Sequence, residues 1–160
     1  MNVRLRFLGS AALTLALTGA ASQSRATEAS GACALITRGE AAAALGASVP
    51  AGVEKVMSLP LQGHAIEAQY CFYGSEVLIA QFDLGSGAEA LFGQYRKSLA
   101  SEAGYQSVEG VGDEAFAAKG QLAVRKGQTG FIVDVGQARG GGAPELEAEK
   151  VLASHAIGRM

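Results

Sequence analysis

The chain predicts an exported, disulfide-bonded α+β domain, and three observations carry that prediction. An apolar run from Phe7 to Ala21 follows Arg4 and Arg6 and gives way to small and polar residues, the pattern of a secretory signal peptide. Cys33 and Cys71 are the only cysteines and both lie beyond it, so in an oxidising compartment they pair most simply with each other. Ser86 to Glu102 carries Ala88, Leu91, Phe92, Tyr95 and Leu99 at helical spacing between two sets of strand-like segments, giving the apolar stripe a helix needs to cover a sheet. The expected fold is an antiparallel sheet of about five to six strands. Its helices pack mainly on one face, with the helices over Ser86–Glu102 and Pro144–Gly158 sharing it, and a disulfide ties down a short N-terminal helix.

Residues 1–26 are read as the signal peptide and 27–160 as one exported domain. Cleavage suits either Ala20 or Ala26, since Thr18-Gly19-Ala20 and Ser24-Arg25-Ala26 both place small residues at the two key positions. The apolar run falls short of the roughly 20 residues a spanning helix needs. Ser30-Gly31-Ala32 precedes Cys33, but no Leu stands three positions before that cysteine, so a lipid anchor is not expected. Loss of Arg4, Arg6 and Arg25 leaves ten basic against fifteen acidic residues, and no basic cluster remains to bind nucleic acid or an anionic membrane.

Along the mature chain, Thr37 and Glu40 form a capping box opening a short helix to Leu45, with Gly46 as its stop. Cys33 stands one turn earlier, so the disulfide pins this helix to whichever element holds Cys71. An edge strand is expected around Gly52 to Ser58, bounded by Pro50 and Pro60. Ala65–Tyr73 and Glu76–Leu84 flank Gly74-Ser75 as a hairpin, and the second arm is apolar on both parities, as in a central strand. Ser86 and Glu89 have the spacing of a second capping box, and Gly104 offers a stop. Strands then follow over Gln106–Glu109, Glu114–Ala117, Gln121–Lys126 and Thr129–Val135, joined by the turn at Gly110-Val111-Gly112-Asp113, by Lys119-Gly120 and by Gly127-Gln128. Gly140-Gly141-Gly142 reads as a linker, and Pro144 starts the last helix.

The segment Cys33-Ala34-Leu35-Ile36-Thr37, with Glu40 and Ala44-Leu45-Gly46, is joined downstream by Gly110-Val111-Gly112-Asp113-Glu114-Ala115-Phe116. This pairing resembles a loose group of short exported bacterial proteins of unknown function. In these a Cys-x-Leu-(Leu/Ile)-Thr segment opens the mature domain, a second Cys follows in a strand, and a Gly-x-Gly-Asp-Glu-Ala-aromatic turn lies beyond it. The resemblance implies a secreted or lipid-anchored α+β domain and brings no activity with it.

Candidate chemistry is sparse. Asp113 and Glu114 are adjacent carboxylates, but neighbours in a strand point to opposite faces, and Asp113 beside Gly110 and Gly112 also suits a turn that closes on local N–H groups. His64, His155, Cys33 and Cys71 lack the short spacing of a metal site, so neither metal nor cofactor is expected. No Gly-x-Ser-x-Gly elbow announces a serine nucleophile. Tyr70 and Phe72 share one strand face, as core or as an aromatic contact patch. The leading expectation is a periplasmic or secreted, non-enzymatic binding or interaction module for a protein or small-molecule ligand, using a sheet face that helices leave uncovered. The alternative is a small extracytoplasmic hydrolase using Asp113 or Glu114 with His64, and a metal carrier, requiring free thiols, is a third reading.

Overall fold

The computed structural model describes residues 31–61, 63–75, 77–136 and 143–160. The signal-peptide reading of residues 1–26 and the linker reading of residues 140–142 lie outside these. The fold is α+β: seven strands form one antiparallel sheet, somewhat more than expected, in the order β1-β2-β3-β7-β6-β5-β4. A first meander runs through β1 (Val53–Leu61), β2 (His64–Tyr73) and β3 (Val77–Asp83), and a second through β4 (Gln106–Val108), β5 (Glu114–Ala118), β6 (Gln121–Lys126) and β7 (Thr129–Asp134). They meet where β3 pairs with β7.

The helices are α1 (Ala32–Leu35), α2 (Arg38–Leu45), α3 (Ala88–Leu99) and α4 (Ala143–Ile157). The Thr37 capping box forms as expected: the Glu40 N–H donates to the Thr37 hydroxyl, and the Thr37 N–H donates to the Glu40 carboxylate. Gly46 ends α2 in the left-handed conformation at φ 65°, which a glycine adopts without steric cost. The second expected capping box does not form. A 3-10 turn, Gly85–Gly87, takes up Ser86, and α3 begins after Gly87 with no side-chain cap. Asp83 accepts the Gly85 N–H instead, so the entry to the helix is built by a carboxylate at the strand end.

Strand alternation divides the core into two layers. One face of the sheet carries Cys71, Ile79, Leu122, Val124, Phe131 and Val133 and packs against α1, α2 and α4. The other carries Ala68, Ala80, Phe82, Phe116, Ala123 and Ile132 and packs against α3. The expectation that the helices over Ser86–Glu102 and Pro144–Gly158 share a face is therefore corrected. With apolar residues on both parities of β3, β5, β6 and β7, both faces need covering, and one helix goes to each.

The disulfide joins Cys33 in α1 to Cys71 in β2, with a Cα–Cα distance of 4.9 Å. Tyr73 reinforces it two residues along the same face by donating its hydroxyl to the Ile36 carbonyl. Both sulfurs are committed, so neither Cys33 nor Cys71 is a thiolate ligand and the Cys33 sulfur is not free for a lipid. Among the described residues no helix is long and apolar enough to cross a membrane.

Candidate functional site

Asp113 and Glu114 are placed by the turn into β5. Gly112 has φ 63°, and a Cβ there would stand 2.6 Å from the Arg125 carbonyl oxygen, so only a residue lacking one lets the turn close against β6. The Asp113 N–H then donates to that carbonyl at 2.9 Å. The Asp113 side chain accepts from Lys126 Nζ at 2.8 Å and from the Gly127 N–H at 2.7 Å, which together hold its carboxyl below the usual range. Asp113 thus ties its own turn to the β6–β7 turn. Glu114 meets Arg96 of α3 at 3.0 Å and Arg125 Nε at 3.8 Å, and because Arg125 Nη1 also lies 3.7 Å from Asp113, one guanidinium is shared by the two neighbouring carboxylates. With Glu89, Arg96 and Lys97, Glu114 lines an open groove of about 650 Å³ beside α3.

His64, one residue before the strand expected from Ala65, is the first residue of β2 and pairs with Leu61. The hairpin runs longer than its apolar pattern announces, because backbone pairing continues past the core. Ala68, Phe82, Gly130, Arg125 and Glu114 form one row across the sheet, so Glu114 lies four strands from β2, about 19 Å away at ordinary strand spacing. His64 stands four residues further along β2 than that row, about 14 Å more. The fold does not bring the expected acid and histidine together.

The other histidine has a partner. His155 Nδ1 lies 3.1 Å from Glu40 Oε1, and Arg159 Nη2 donates to the same oxygen at 2.7 Å. Hydrogen bonding from Arg159, and after it from Thr37, pulls the Glu40 carboxyl down to about 2. Arg159 also donates to the Leu35 carbonyl, so the cluster clasps the C-terminal end of α4 to α1 and α2. Among the described residues no group of three or more His, Cys, Asp or Glu has the geometry to hold a metal ion.

Among the described residues, three of the five exposed large apolar side chains, Val53, Val56 and Met57, lie on the outer hairpin. The helix α3 lies over β5, β6 and β7, where Phe116 meets Phe92 at 5.4 Å and Tyr95 at 5.5 Å between ring centroids. On the same face of β1 and β2 it reaches only part of the way: Ala68 is buried and Leu59, Ile66 and Tyr70 pack against the α3 layer, while the rest stays open. There Met57 is 40% and Val53 54% exposed. Leu59, Ile66, Tyr70 and Phe72 are half-buried around them, the last two stacked with centroids 6.0 Å apart. Lys55 lies 5.3 Å above the Phe72 ring, leaving its ammonium in water while its stem covers carbon. On the opposite face Val56, the most exposed large apolar side chain among the described residues at 58%, borders a shallow concavity of about 340 Å³ with Ser58, Ala65 and Glu67. The pairing of Tyr70 with Phe72 is visible in the sequence. The exposure of Met57 and Val56 is not, because it depends on which strands the helix covers.

Comparison with known proteins finds no matching family model, no matching curated protein and no matching solved structure.

Proposed function

We propose that this protein is an exported, periplasmic or secreted, non-enzymatic binding module whose contact surface is the uncovered apolar face of the β1–β2 hairpin. One observation carries the reading: Val53 and Met57 stand exposed beside the Tyr70–Phe72 stack on a face whose inner half α3 seals. Contiguous exposed apolar area of this kind marks a contact surface, because exposure to water costs free energy that a partner recovers. The disulfide supports export, since such bonds persist in oxidising compartments. The resemblance to short exported proteins belongs to the same reading. Its Cys33–Thr37 segment supplies the disulfide and the cap of α2, and its Gly110–Phe116 segment supplies the turn into β5.

The test is the mass of the protein recovered from the exported fraction, measured under native and denaturing conditions, beside a Met57→Asp variant. A bound species of defined mass on the wild type, absent from the variant, is the expected result. Cargo that persists on Met57→Asp, or equal native and denatured masses together with no change in retention of the variant on a phenyl matrix, would overturn this choice of surface.

A further inference from the structure

The edge of the sheet carries a second, independent reading, drawn from backbone groups rather than from the apolar face. Among the described residues β1 is the terminal strand of the sheet and pairs only with β2, so one side of its backbone has no strand partner there. At nine residues it is three times the length of β4, which ends the opposite edge. Long unpaired edges template pairing with another strand unless they are blunted. Pro60, which has no N–H to give, blunts one end of this edge, and Glu54 and Lys55 add charge that any partner strand must accommodate. Proline inside a ladder turns its nitrogen away from the neighbouring strand, so Pro60 faces outward, and the strand's alternation directs the N–H and C=O groups of Glu54, Val56 and Ser58 outward with it.

We propose that the occupant of this edge is a second copy of the same chain, its β1 antiparallel to the first about a two-fold axis through Val56. The sequence of the edge selects that register. An axis through Val56 sets Glu54 opposite Ser58 of the second copy, Val56 opposite itself, Val53 opposite Leu59 and Lys55 opposite Met57. Every outward N–H then faces a carbonyl, each outward pair exchanges both backbone bonds, and no like charges stand directly opposite. Pro60 falls opposite Gly52, one residue beyond the strand, where its missing donor costs nothing. Neighbouring registers are worse. An axis through Glu54 or Lys55 puts that charge against itself, and an axis through Met57 sets Pro60 against Glu54 and loses a bond at each end. The chosen axis also buries the most exposed large apolar side chain described, Val56, against its own copy. The two sheets become one, and the apolar faces of both hairpins lie side by side.

Single cysteines in the full, disulfide-intact protein test this. Residues at an outward pair on the axis have Cα atoms about 5.5 Å apart, within the range a disulfide spans, so Val56→Cys is expected to give a covalent dimer under mild oxidation. Ser58→Cys is expected to give none, since Ser58 lies opposite Glu54 and about 14 Å along the strand from its own copy. Val56→Lys, at a position exposed in the monomer, is expected to fold normally by circular dichroism and to raise the dimer dissociation constant about tenfold or more, read by sedimentation. A wild-type monomer at millimolar concentration, or crosslinking through Ser58→Cys in preference to Val56→Cys, would overturn the proposal. Neither result bears on whether the apolar face binds cargo.

Discussion

Phe116 on β5 and Met57 on β1 face the same side of one sheet, yet the first is 1% exposed and the second 40%. The difference lies in coverage rather than in strand chemistry. The second meander is enclosed between α3 and α4, and its strands bury apolar residues on both parities. On the first, α1 and the disulfide hold one face of β2 and β3, while the α3 side of the outer hairpin stays open. A sheet sealed on both faces at one end and open at the other keeps its stability and its contact surface in different places.

The largest effect should come from breaking the sealed half. Phe116→Ala removes the ring on which Phe92, Tyr95 and Tyr105 converge, and should cost about 3–5 kcal/mol in denaturant unfolding. Met57→Ala, on the same face of the open half, should change stability by no more than about 0.5 kcal/mol. Replacing both Cys33 and Cys71 by Ser releases α1 from β2 and should cost about 2–5 kcal/mol, with faster amide exchange first in the outer strands.

A smaller loss is expected at the seam between the halves. Gly130 pairs with Phe82, and a Cβ on Gly130 would stand 2.2 Å from that buried ring, so Gly130→Ala should cost about 1–3 kcal/mol.

The pH dependence should also divide, with opposite signs. Glu149 of α4 is 2% exposed, and desolvation first, with Asp134 and Glu145 adding to it, pushes its carboxyl up to about 8. The folded state therefore holds a proton that the unfolded chain releases near 4.5, and stability should fall as pH rises between those values. Glu149→Gln should flatten that decline in thermal melts. Glu40, drawn down to about 2, contributes fully above its ordinary value of 4.5, and that contribution is lost as pH falls toward 2. Glu40→Gln should leave the alkaline limb unchanged and remove part of the acid limb.

Local signals were legible where short-range chemistry suffices. The Thr37 capping box, the Gly46 stop, the Lys119-Gly120 and Gly127-Gln128 turns and the disulfide all form as the residues indicate. The Ser86 box does not form because Ser86 is taken into a 3-10 turn and Gly87 stands at the N-cap, which residue spacing alone does not reveal. His64 is called to the end of a long strand by pairing with β1, a partner its own neighbours do not specify.

The sequence by itself determined the class of fold, the covalent tie and the places where the chain turns, because capping, turn geometry and strand alternation act over a few residues. Only the tertiary structure decided which helix covers which face, how far Glu114 lies from β2, and that Val53, Val56 and Met57 remain in water. Those outcomes depend on the order of strands in the sheet and on where a helix of fixed length lies across it. Both are set by contacts between residues far apart in the chain.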